Sequence, residues 1–263
     1  INAVHISNAF AEAYRGGFDI VHNHDAMYGV ALANLVNIPT LSTIHVLPTG
    51  HALAGLNVFR SGRYAAVSRF QRDRLLGLPY TNVIHDAIAV SSFDVREAKS
   101  GYLVTLGAVC PDNGTHIAAQ VANSTGIPLK IMGRVYRDFE RYFKTLVGPY
   151  LARGIVEYLG DIGEEDKAVL LSNARALLAP IGRDEPFHLS LLEAMASGTP
   201  VVAFARGAVP EIVRHGETGF VVSSVAEMVD AVGEADQIDP RACRSHVQRS
   251  FDIGRLVTEY LRL

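Results

Sequence analysis

Two glutamates, Glu185 and Glu193, lie on either side of a predicted helix start, with seven residues between them. Leu177–Ile181 is an apolar run, polar and turn residues follow it, and Leu189–Ala196 repeats apolar side chains at helical spacing. At such a start, the backbone N–H groups of Phe187–Leu189 lack intrahelical partners and favour an anion such as a diphosphate. A carboxylate that accepts from a hydroxyl contributes about 1.5–3 kcal/mol. The pair could therefore bracket a hydroxyl-rich anion, or could be two solvated glutamates beside a surface helix.

A second loop of the same kind follows directly. Gly198 is a typical helix end, and Pro200 prevents the helix from continuing. Val201–Ala205 is again apolar, Gly207 opens a loop, and Pro210 suits the first turn of another helix. Two strand–loop–helix turns therefore lie side by side at the carboxyl edge of a predicted parallel sheet, where ligands bind in open α/β folds.

Histidines occupy two strand ends near the start of the chain. The predicted strand Phe18–His22 runs into the sequence His-Asn-His-Asp, and the predicted strand Thr40–Ile44 is followed by His45. We expect His24 and His45 to meet at one sheet edge, with Asp25 orienting a histidine or a ligand hydroxyl. Two histidines and a carboxylate can also bind zinc, but the sequence locates no third ligand, so we predict no metal site. The first histidine of the run could instead be purely structural, bonded to backbone.

Strand and helix patterns alternate along the rest of the chain and predict two parallel sheets. The first unit adds the strands Tyr64–Val67 and Asn82–Ile88, with Ser68 capping the helix between them and Ala89–Ser100 as a linker. The second unit has six predicted strands, which are Tyr102–Val109, Leu129–Met132, Val156–Leu159, Ala176–Ile181, Val201–Ala205 and Phe220–Val222. A helix is predicted over Phe139–Leu151. No GxGxxG follows the first strand of this unit, which argues against a dinucleotide redox cofactor.

The composition of the chain limits the classes of protein to which it can belong. The 263 residues are 49% hydrophobic and 19% charged with a net charge of −3, typical of a soluble protein with two domains and not of a nucleic-acid binder. Cys110 and Cys243 are too few for a disulfide framework, which favours a reducing cytoplasm. No apolar run approaches the roughly 18 residues of a membrane-spanning helix. The chain opens inside a predicted helix without an initiator Met, so we expect it to lack a preceding segment.

Residues 180–220 closely resemble the donor-site signature of the family-4 retaining glycosyltransferases of the GT-B fold. The resemblance is carried by Glu185-Pro186-Phe187, Glu193, the run AMASGTPVVAF, Gly207, Pro210-Glu211 and GETGF, and it extends over roughly residues 18–263. It implies two Rossmann-like, doubly wound parallel-sheet domains that face a cleft, the first of them truncated. The implied division is an acceptor-side domain at 1–97, a nucleotide-sugar donor domain at 98–250, and a crossover helix at 251–263 that packs back on the first domain.

The implied activity is transfer of a sugar from a nucleotide-sugar donor to an acceptor hydroxyl with retention of anomeric configuration. It needs no metal, no cofactor beyond the donor and no protein nucleophile. Glu193 would hold the ribose, Glu185 would touch the sugar hydroxyls, and His24 would stabilise the developing charge. His45 and Asp25 would lie on the acceptor side. The predicted phosphate-binding positions are Phe187, Leu189, Gly207 and Ala208.

The sequence departs from the family pattern in the loop after the second unit's first strand. Family members place an Arg directly after the first glycine, Gly107, and a Lys directly before the last; here these positions are Ala108 and Asn113. Losing one such preorganised donor typically raises a reaction barrier by about 3 kcal/mol. The arginines that could reach the same phosphate are Arg134, Arg183 and Arg206, with Arg183 best placed. His188 stands where the family commonly has Gly and could alter donor choice.

Several alternatives stay open. A phosphorylase or an epimerase would share the GT-B fold, and a non-catalytic sugar-nucleotide binder would explain the missing Arg and Lys. A group of arginines in the first unit could attract anionic lipid at about 1 kcal/mol per charge, or could simply be a solvated helix face. The group consists of Arg60, Arg63, Arg69, Arg72 and Arg74. We therefore expect a sugar or lipid-linked acceptor and a cytoplasmic location with possible peripheral membrane contact, while the oligomeric state stays open.

Overall fold

The computed structural model describes residues 2–58, 62–75 and 77–263. Arg60 and Leu76, the last residue predicted for the helix that Ser68 caps, therefore lie outside the described residues. The chain forms two compact units. Unit 1 contains the described residues up to Asp86 together with Glu185–Phe187 and Glu259–Leu263, and unit 2 contains Ala87–Asp184 and His188–Thr258. The predicted domain boundary after residue 97 thus falls within unit 2, and the predicted crossover segment 251–263 is divided between the units.

Unit 1 is a four-stranded parallel sheet with its strands in chain order. The strands are β1 Val21–Asn23, β2 Thr40–Ile44, β3 Arg63–Ala66 and β4 Tyr80–Val83. The helices are α1 Asn2–Arg15, α2 Tyr28–Ala33, α3 Gly50–Val58 and α4 Arg69–Arg74. Its core forms where Val30, Ile44, Leu56 and Tyr64 pack together, each at most 2% exposed. As predicted, Ser68 caps α4, since its side chain accepts from the N–H of Gln71.

Two predicted strands of unit 1 need correction. The first was expected to be buried from Phe18, but pairing starts only at Val21, and Phe18 and Ile20 are 56% and 60% exposed. The reason is that β1 lies at an edge of the four-stranded sheet. The last strand, β4, ends at Val83 rather than Ile88; the N–H of Ile84 still bonds the β3 carbonyl of Ala66, and the chain then leaves the sheet.

Unit 2 contains the six predicted parallel strands, ordered β10-β9-β8-β5-β6-β7. They are β5 Leu103–Leu106, β6 Leu129–Met132, β7 Val156–Gly160, β8 Ala176–Ala179, β9 Val201–Phe204 and β10 Gly219–Val222. The order reverses at β5, which pairs with β6 on one side and β8 on the other. The loops that follow β5 and β8 therefore flank a topological switch point, where ligands bind in open α/β sheets.

The helices of unit 2 surround this sheet in the predicted alternation. They are α5 Thr115–Thr125, α6 Glu140–Tyr142, α7 Gly148–Ala152, α8 Glu164–Asn173, α9 Leu189–Ala196, α10 Val209–Ile212, α11 Val225–Glu234, α12 Pro240–Ser250 and α13 Ile253–Tyr260, whose last two residues are grouped with unit 1. The predicted helix Phe139–Leu151 is helical from Glu140 onward, but a π-helical segment, Phe143–Val147, lies within it between α6 and α7. Pro149 lacks an N–H and its ring crowds the preceding turn, which accounts for the widened backbone.

The chain end differs in detail from the prediction. The sequence predicts that the crossover helix packs through Leu256, Val257, Tyr260 and Leu261. Leu256 and Tyr260 are partly buried, whereas Val257 in α13 and Leu261 just after it are 47% and 83% exposed. Cys243 is fully buried in the core of unit 2. Among the described residues, no helix combines the length and the apolar character needed to cross a bilayer.

Candidate functional site

Glycines bring the loops of the unit-2 switch point into close contact. Gly114, with φ +66°, would place a Cβ 2.0 Å from the carbonyl oxygen of Pro180, so the β5 loop lies directly against the β8 loop. Gly133, with φ +145°, would place a Cβ 1.9 Å from the carbonyl oxygen of Gly107. Side chains cannot be accommodated at either contact, and both glycines also adopt backbone angles that L-residues disfavour. The edge of the sheet is thus built from close backbone contacts.

Glu193 projects from α9 into a shielded ion pair. Its Oε1 accepts from Lys167 Nζ at 2.9 Å, and Lys167 also donates to Glu164 Oε2 at 2.6 Å. The side chains of Glu193 and Lys167 are only 17% and 11% exposed, whereas that of Glu164 is 84% exposed. Burial, opposed in part by Lys167, raises the pKa of Glu193. Glu193 is therefore a positioned carboxylate rather than a solvated one, and Lys167 is a partner that the sequence analysis missed.

Beside this pair is a cavity of about 220 Å³ at the carboxyl ends of β5, β6 and β7. Two predicted site residues, Gly107 and Arg134, line it together with Lys167. The Arg134 guanidinium lies over the Tyr136 ring, 5.5 Å from its centroid, in a cation–π contact. The cavity thus joins the predicted glycine loop to the Lys167–Glu193 pair.

In the first loop of unit 2, a hydrogen bond joins the two positions at which family members carry charged side chains. Asn113 Nδ2 donates to the carbonyl of Ala108 at 2.8 Å, so the two neutral replacements are bonded to one another. Arg183 Nη1 lies 3.3 Å from Asp112 Oδ2, and both side chains are 57% exposed. A pair this exposed contributes little stability, below about 1 kcal/mol. It does bring Arg183 beside the loop that lacks the family's cations. Arg206, another of the three candidate arginines, has no such contact among those described.

The loop after β9 is held by an acidic residue that the sequence analysis did not single out. Asp184 Oδ1 accepts from the Gly207 N–H at 3.1 Å, so this predicted phosphate-binding amide already has a carboxylate partner. Ala208, the next residue, is fully buried at the start of α10. A ligand phosphate would have to compete with Asp184 for the Gly207 amide.

The residues before α9 differ in their surroundings. Phe187 and His188 are 8% and 9% exposed, while Leu189, the first residue of α9, is 46% exposed. His188 is extended, with φ −139°, and its side chain does not cap the helix. Glu185 and Phe187 are grouped with unit 1, where the Phe187 ring lies 5.9 Å from that of His85. The predicted roles of these residues in binding stay predictions.

In unit 1, His24 and His45 meet as expected. His24 Nδ1 and His45 Nε2 are 2.9 Å apart, and His45 Nδ1 lies 3.2 Å from Asp86 Oδ2. Because an ionised Asp only accepts, the neutral form of His45 carries its proton on Nδ1 and accepts at Nε2 from His24 Nδ1–H. The chain of bonds leaves His24 Nε2 with a lone pair.

Asp86, and not Asp25, is the carboxylate that orients a histidine. Asp25 Oδ1 accepts from the N–H groups of Met27 and Gly29 at 2.9 and 2.8 Å, and so caps the start of α2. Its side chain is occupied by backbone donors because it lies at a helix start, where such donors lack partners. The proposed contact of Asp25 with an acceptor hydroxyl stays a prediction.

Buried amides fix the two histidine loops. Asn23 Nδ2 donates to Ser42 Oγ at 2.9 Å, and its Oδ1 accepts from the Asp25 N–H. Gln71 Nε2 donates to the carbonyls of Ile44 and Val46 at 2.7 and 2.9 Å, on either side of His45 in the chain. Such satisfied polar groups rigidify the backbone that carries the imidazoles.

His22 belongs to a second, structural network. Its Nε2 lies 2.8 Å from Thr43 Oγ1, which in turn lies 2.8 Å from the Tyr260 hydroxyl. Partial burial, reinforced by His24 and His45, lowers the pKa of His22 to about 4. Burial and His45 also lower the pKa of His24, against an opposing effect of Asp86. Both rings are therefore neutral near pH 7. Within the part of the chain that the structure describes, no three His, Cys, Asp or Glu side chains are grouped to hold a metal ion.

Comparison with known proteins identifies the family. The sequence profile of the Glycosyl transferases group 1 family matches residues 102–235, just over half of the chain, and the chain belongs to this family. The uncharacterized glycosyltransferase MJ1607 of Methanocaldococcus jannaschii is 24% identical, over 82% of this chain and 66% of its own length. Glycogen synthase of Mycobacterium tuberculosis is 27% identical, over 91% of this chain and 67% of its own length. The chain thus spans about two thirds of these relatives.

Solved structures share the fold. AviGT4, a glycosyltransferase involved in avilamycin A biosynthesis, superimposes with a TM-score of 0.79 at 22% identity, covering 98% of this chain and 77% of its own. Anabaena Alr3699/HepE in complex with UDP and glucose gives a TM-score of 0.83 at 16% identity, covering 98% and 80%. Two parallel α/β units of four and six strands that match such structures confirm the predicted GT-B class.

Proposed function

We propose that this chain binds a nucleotide sugar in unit 2 and transfers the sugar to an acceptor hydroxyl, with retention and without a metal ion. The observation that carries this proposal is the shielded Glu193–Lys167 pair beside the cavity at the carboxyl ends of β5, β6 and β7. Membership of a glycosyltransferase family supports the reaction class, and the bound UDP and glucose of Alr3699/HepE support the ligand class.

The donor half follows from the contacts in unit 2. Glu193 accepts from ribose hydroxyls, while Lys167 holds its carboxylate in place and keeps it charged. The cavity lined by Gly107 and Arg134 receives the rest of the nucleoside. Arg183 supplies positive charge to the diphosphate beside a first loop that has lost its own cations. The amides at the start of α9 add donors, and Gly207 adds another once Asp184 releases it.

The role proposed for unit 1 rests on the chain of hydrogen bonds that joins Asp86, His45 and His24. His24 presents an Nε2 lone pair that accepts from a sugar hydroxyl, which orients the sugar and stabilises the charge that develops on it. Glu185 accepts from another hydroxyl of the sugar. The leaving diphosphate takes the proton of the attacking hydroxyl on the same face, so the configuration at the anomeric carbon is kept.

Glu193→Gln tests the ribose contact. Gln keeps the shape but removes the charge of the acceptor, so affinity for the preferred nucleotide should fall about 10- to 100-fold. Titration calorimetry with UDP, GDP and ADP measures the loss, and circular dichroism checks the fold. Glu165→Gln, on the exposed side of α8, is the matched control and should bind like the unchanged chain. Equal affinity in both variants would rule out the ribose assignment.

Measurements of turnover distinguish the proposed glycosyltransferase from a non-catalytic nucleotide-sugar binder and from a phosphorylase. Proton NMR of products from UDP-, GDP- and ADP-sugars, run with EDTA, should show the donor's anomeric configuration retained. An inverted signal, or activity that EDTA abolishes, contradicts the mechanism. Binding without turnover would identify a non-catalytic nucleotide-sugar binder, and phosphate-dependent release of sugar 1-phosphate would identify a phosphorylase.

A further inference from the structure

The cavity of unit 2 contains two charged side chains to which no partner has yet been assigned. Its charged lining residues are Arg134, Asp161, Glu164 and Lys167. Glu164 and Lys167 are bonded to one another at 2.6 Å, and Lys167 also binds Glu193. The side chains of Arg134 and Asp161 form no ion pair or hydrogen bond, either with each other or with any other residue that the structure describes. A cation and an anion therefore line the same cavity without being paired.

Hydrogen bonds of the backbone fix the positions from which both side chains project. The neighbouring strands β6 and β7 pair in parallel; Arg134 comes two residues after the first and Asp161 directly after the second. The Gly133 N–H donates to the Gly160 carbonyl at 2.8 Å, which joins the two strand ends. The Arg134 carbonyl accepts from the Val109 N–H at 2.9 Å. Both side chains thus start from defined points at one edge of the sheet.

The two side chains have opposite hydrogen-bonding chemistry. A guanidinium has five N–H donors and no acceptor, whereas an ionised carboxylate only accepts. The cation–π contact of Arg134 with the Tyr136 ring restricts the guanidinium without using a hydrogen-bond acceptor. A ligand that satisfies both groups must present adjacent acceptors to Arg134 and adjacent donors to Asp161, because each group bonds best in a bidentate way.

Among the common nucleobases, guanine has both of these edges. Its O6 and N7 are adjacent acceptors that match the fork of an arginine, and its N1–H and N2–H are adjacent donors that match the two oxygens of a carboxylate. Uracil has one N–H between two carbonyl oxygens, which a carboxylate repels. Adenine and cytosine each have one amino group with a ring-nitrogen acceptor beside it.

We propose that Arg134 and Asp161 select guanine, so that the donor is a guanosine diphosphate sugar. Arg134 donates to O6 and N7, and Asp161 accepts from N1–H and N2–H. This inference rests on the proposed function, because it requires that the base of the donor enters this cavity. UDP keeps the ribose and diphosphate contacts and therefore binds the same site more weakly.

Titration calorimetry of the whole chain with GDP, UDP, ADP and CDP tests the choice of base. GDP should bind at least about tenfold more tightly than each of the other three, because it alone makes both bidentate contacts. IDP lacks the N2 amino group and 7-deaza-GDP lacks N7. Each of these analogues should bind about 3- to 10-fold less tightly than GDP.

Two variants assign the contacts to the two side chains. Asp161→Asn should remove the difference between GDP and IDP, and Arg134→Gln should remove the difference between GDP and 7-deaza-GDP. The matched controls are Asp138→Asn and Arg137→Gln, which change exposed residues that do not line the cavity and should leave every affinity unchanged. All four side chains are exposed, so the variants should fold, which circular dichroism and thermal melting check.

The guanine proposal and the proposed function fail separately. The guanine proposal is overturned if UDP, ADP or CDP binds as tightly as GDP, or if either Asp161→Asn or Arg134→Gln keeps the full preference for GDP. If nucleotide binding still depends on Glu193 in that case, the proposed function stands without the guanine assignment. A chain that binds no nucleoside diphosphate would remove both proposals.

Discussion

At the scale of residues, the candidate site in unit 1 depends on two imidazoles joined by hydrogen bonds to one carboxylate. His24, His45 and Asp86 form a chain of hydrogen bonds that gives each ring nitrogen a defined role. Protonation of His24 would remove the lone pair that we assign to a sugar hydroxyl. Since the pKa of His24 is lowered, this loss occurs on the acid side of 6.5, and sugar binding should weaken as the pH falls through that range.

Replacing Asp86→Asn should lower the pKa of His24 further, because the Asp86 charge acts to raise it. The pKa of His22 should stay near 4, since burial is its main cause and the neighbouring imidazoles add to it. Titration of the histidine ring signals by NMR measures both values. The control is Asp94→Asn, an exposed residue of the linker, which should leave both curves in place. An unchanged curve for His24 in Asp86→Asn would contradict the bond network.

The site residues that could be predicted from the sequence are those that lie at the end of a predicted strand or helix, because the ends of these elements fix where such residues lie in the fold. His24 and His45 were expected to meet because adjacent parallel strands end at one edge, and they do. Lys167, Asp184 and Asp86 were missed because each reaches its partner from a distant part of the chain. Lys167 pairs with Glu193 across 26 residues, and Asp86 with His45 across 41. No local spacing encodes such pairs.

At the scale of elements, the switch point depends on backbone contacts that only glycine permits. Gly114 directly precedes α5 and lies so close to the backbone of Pro180, at the end of β8, that a side chain would not fit. Gly133 lies equally close to the backbone of Gly107. These contacts set the separation of the loops that would receive a diphosphate. The backbone of these loops, more than any one side chain, therefore defines the candidate site.

Gly114→Ala should destabilise unit 2 by about 2–5 kcal/mol. The left-handed backbone alone costs about 1–2 kcal/mol, and a Cβ 2.0 Å from a carbonyl oxygen forces the two loops apart. Gly126→Ala is the matched control, with φ +70° at the other end of α5 and nothing within 4 Å of its Cβ. Urea unfolding followed by circular dichroism measures both. Equal losses of unfolding free energy in the two variants would mean that the Pro180 loop moves aside for the added Cβ at little cost.

Elements with strong periodicity were predicted to the residue, as with β6 Leu129–Met132 and α9 Leu189–Ala196. The errors have local causes that compete with hydrophobic pattern. Pro149 accounts for a π-helical segment within the helix predicted over Phe139–Leu151, and the edge position of β1 leaves the apolar residues before it exposed. An apolar pattern reports burial, so it fails where an apolar residue lies at the edge of a sheet.

At the scale of the whole chain, most of the residues to which we assign donor binding belong to unit 2, whereas Glu185 and Phe187 are grouped with unit 1. Glu193, Lys167, Arg134, Arg183 and Gly207 all belong to unit 2. The hydrogen-bonded chain of His24, His45 and Asp86 belongs to unit 1. The alternation of strand and helix was enough to predict two parallel sheets, because a parallel sheet needs a crossover between consecutive strands. Which chemistry each sheet edge carries required the side-chain contacts.

Nucleotide binding should therefore leave a footprint confined to identifiable segments. UDP should slow amide hydrogen exchange in the β5 loop around Gly107 and in α8 and α9 around Lys167 and Glu193, because ordering these groups raises the free energy of local opening. Glu193→Gln should erase the footprint at the same UDP concentration, while Glu165→Gln keeps it. Exchange in β4 and around His85 should not respond to UDP in any variant. Protection that instead centres on His85 would mean that the nucleotide binds in unit 1, and the assignment of the donor to unit 2 would be wrong.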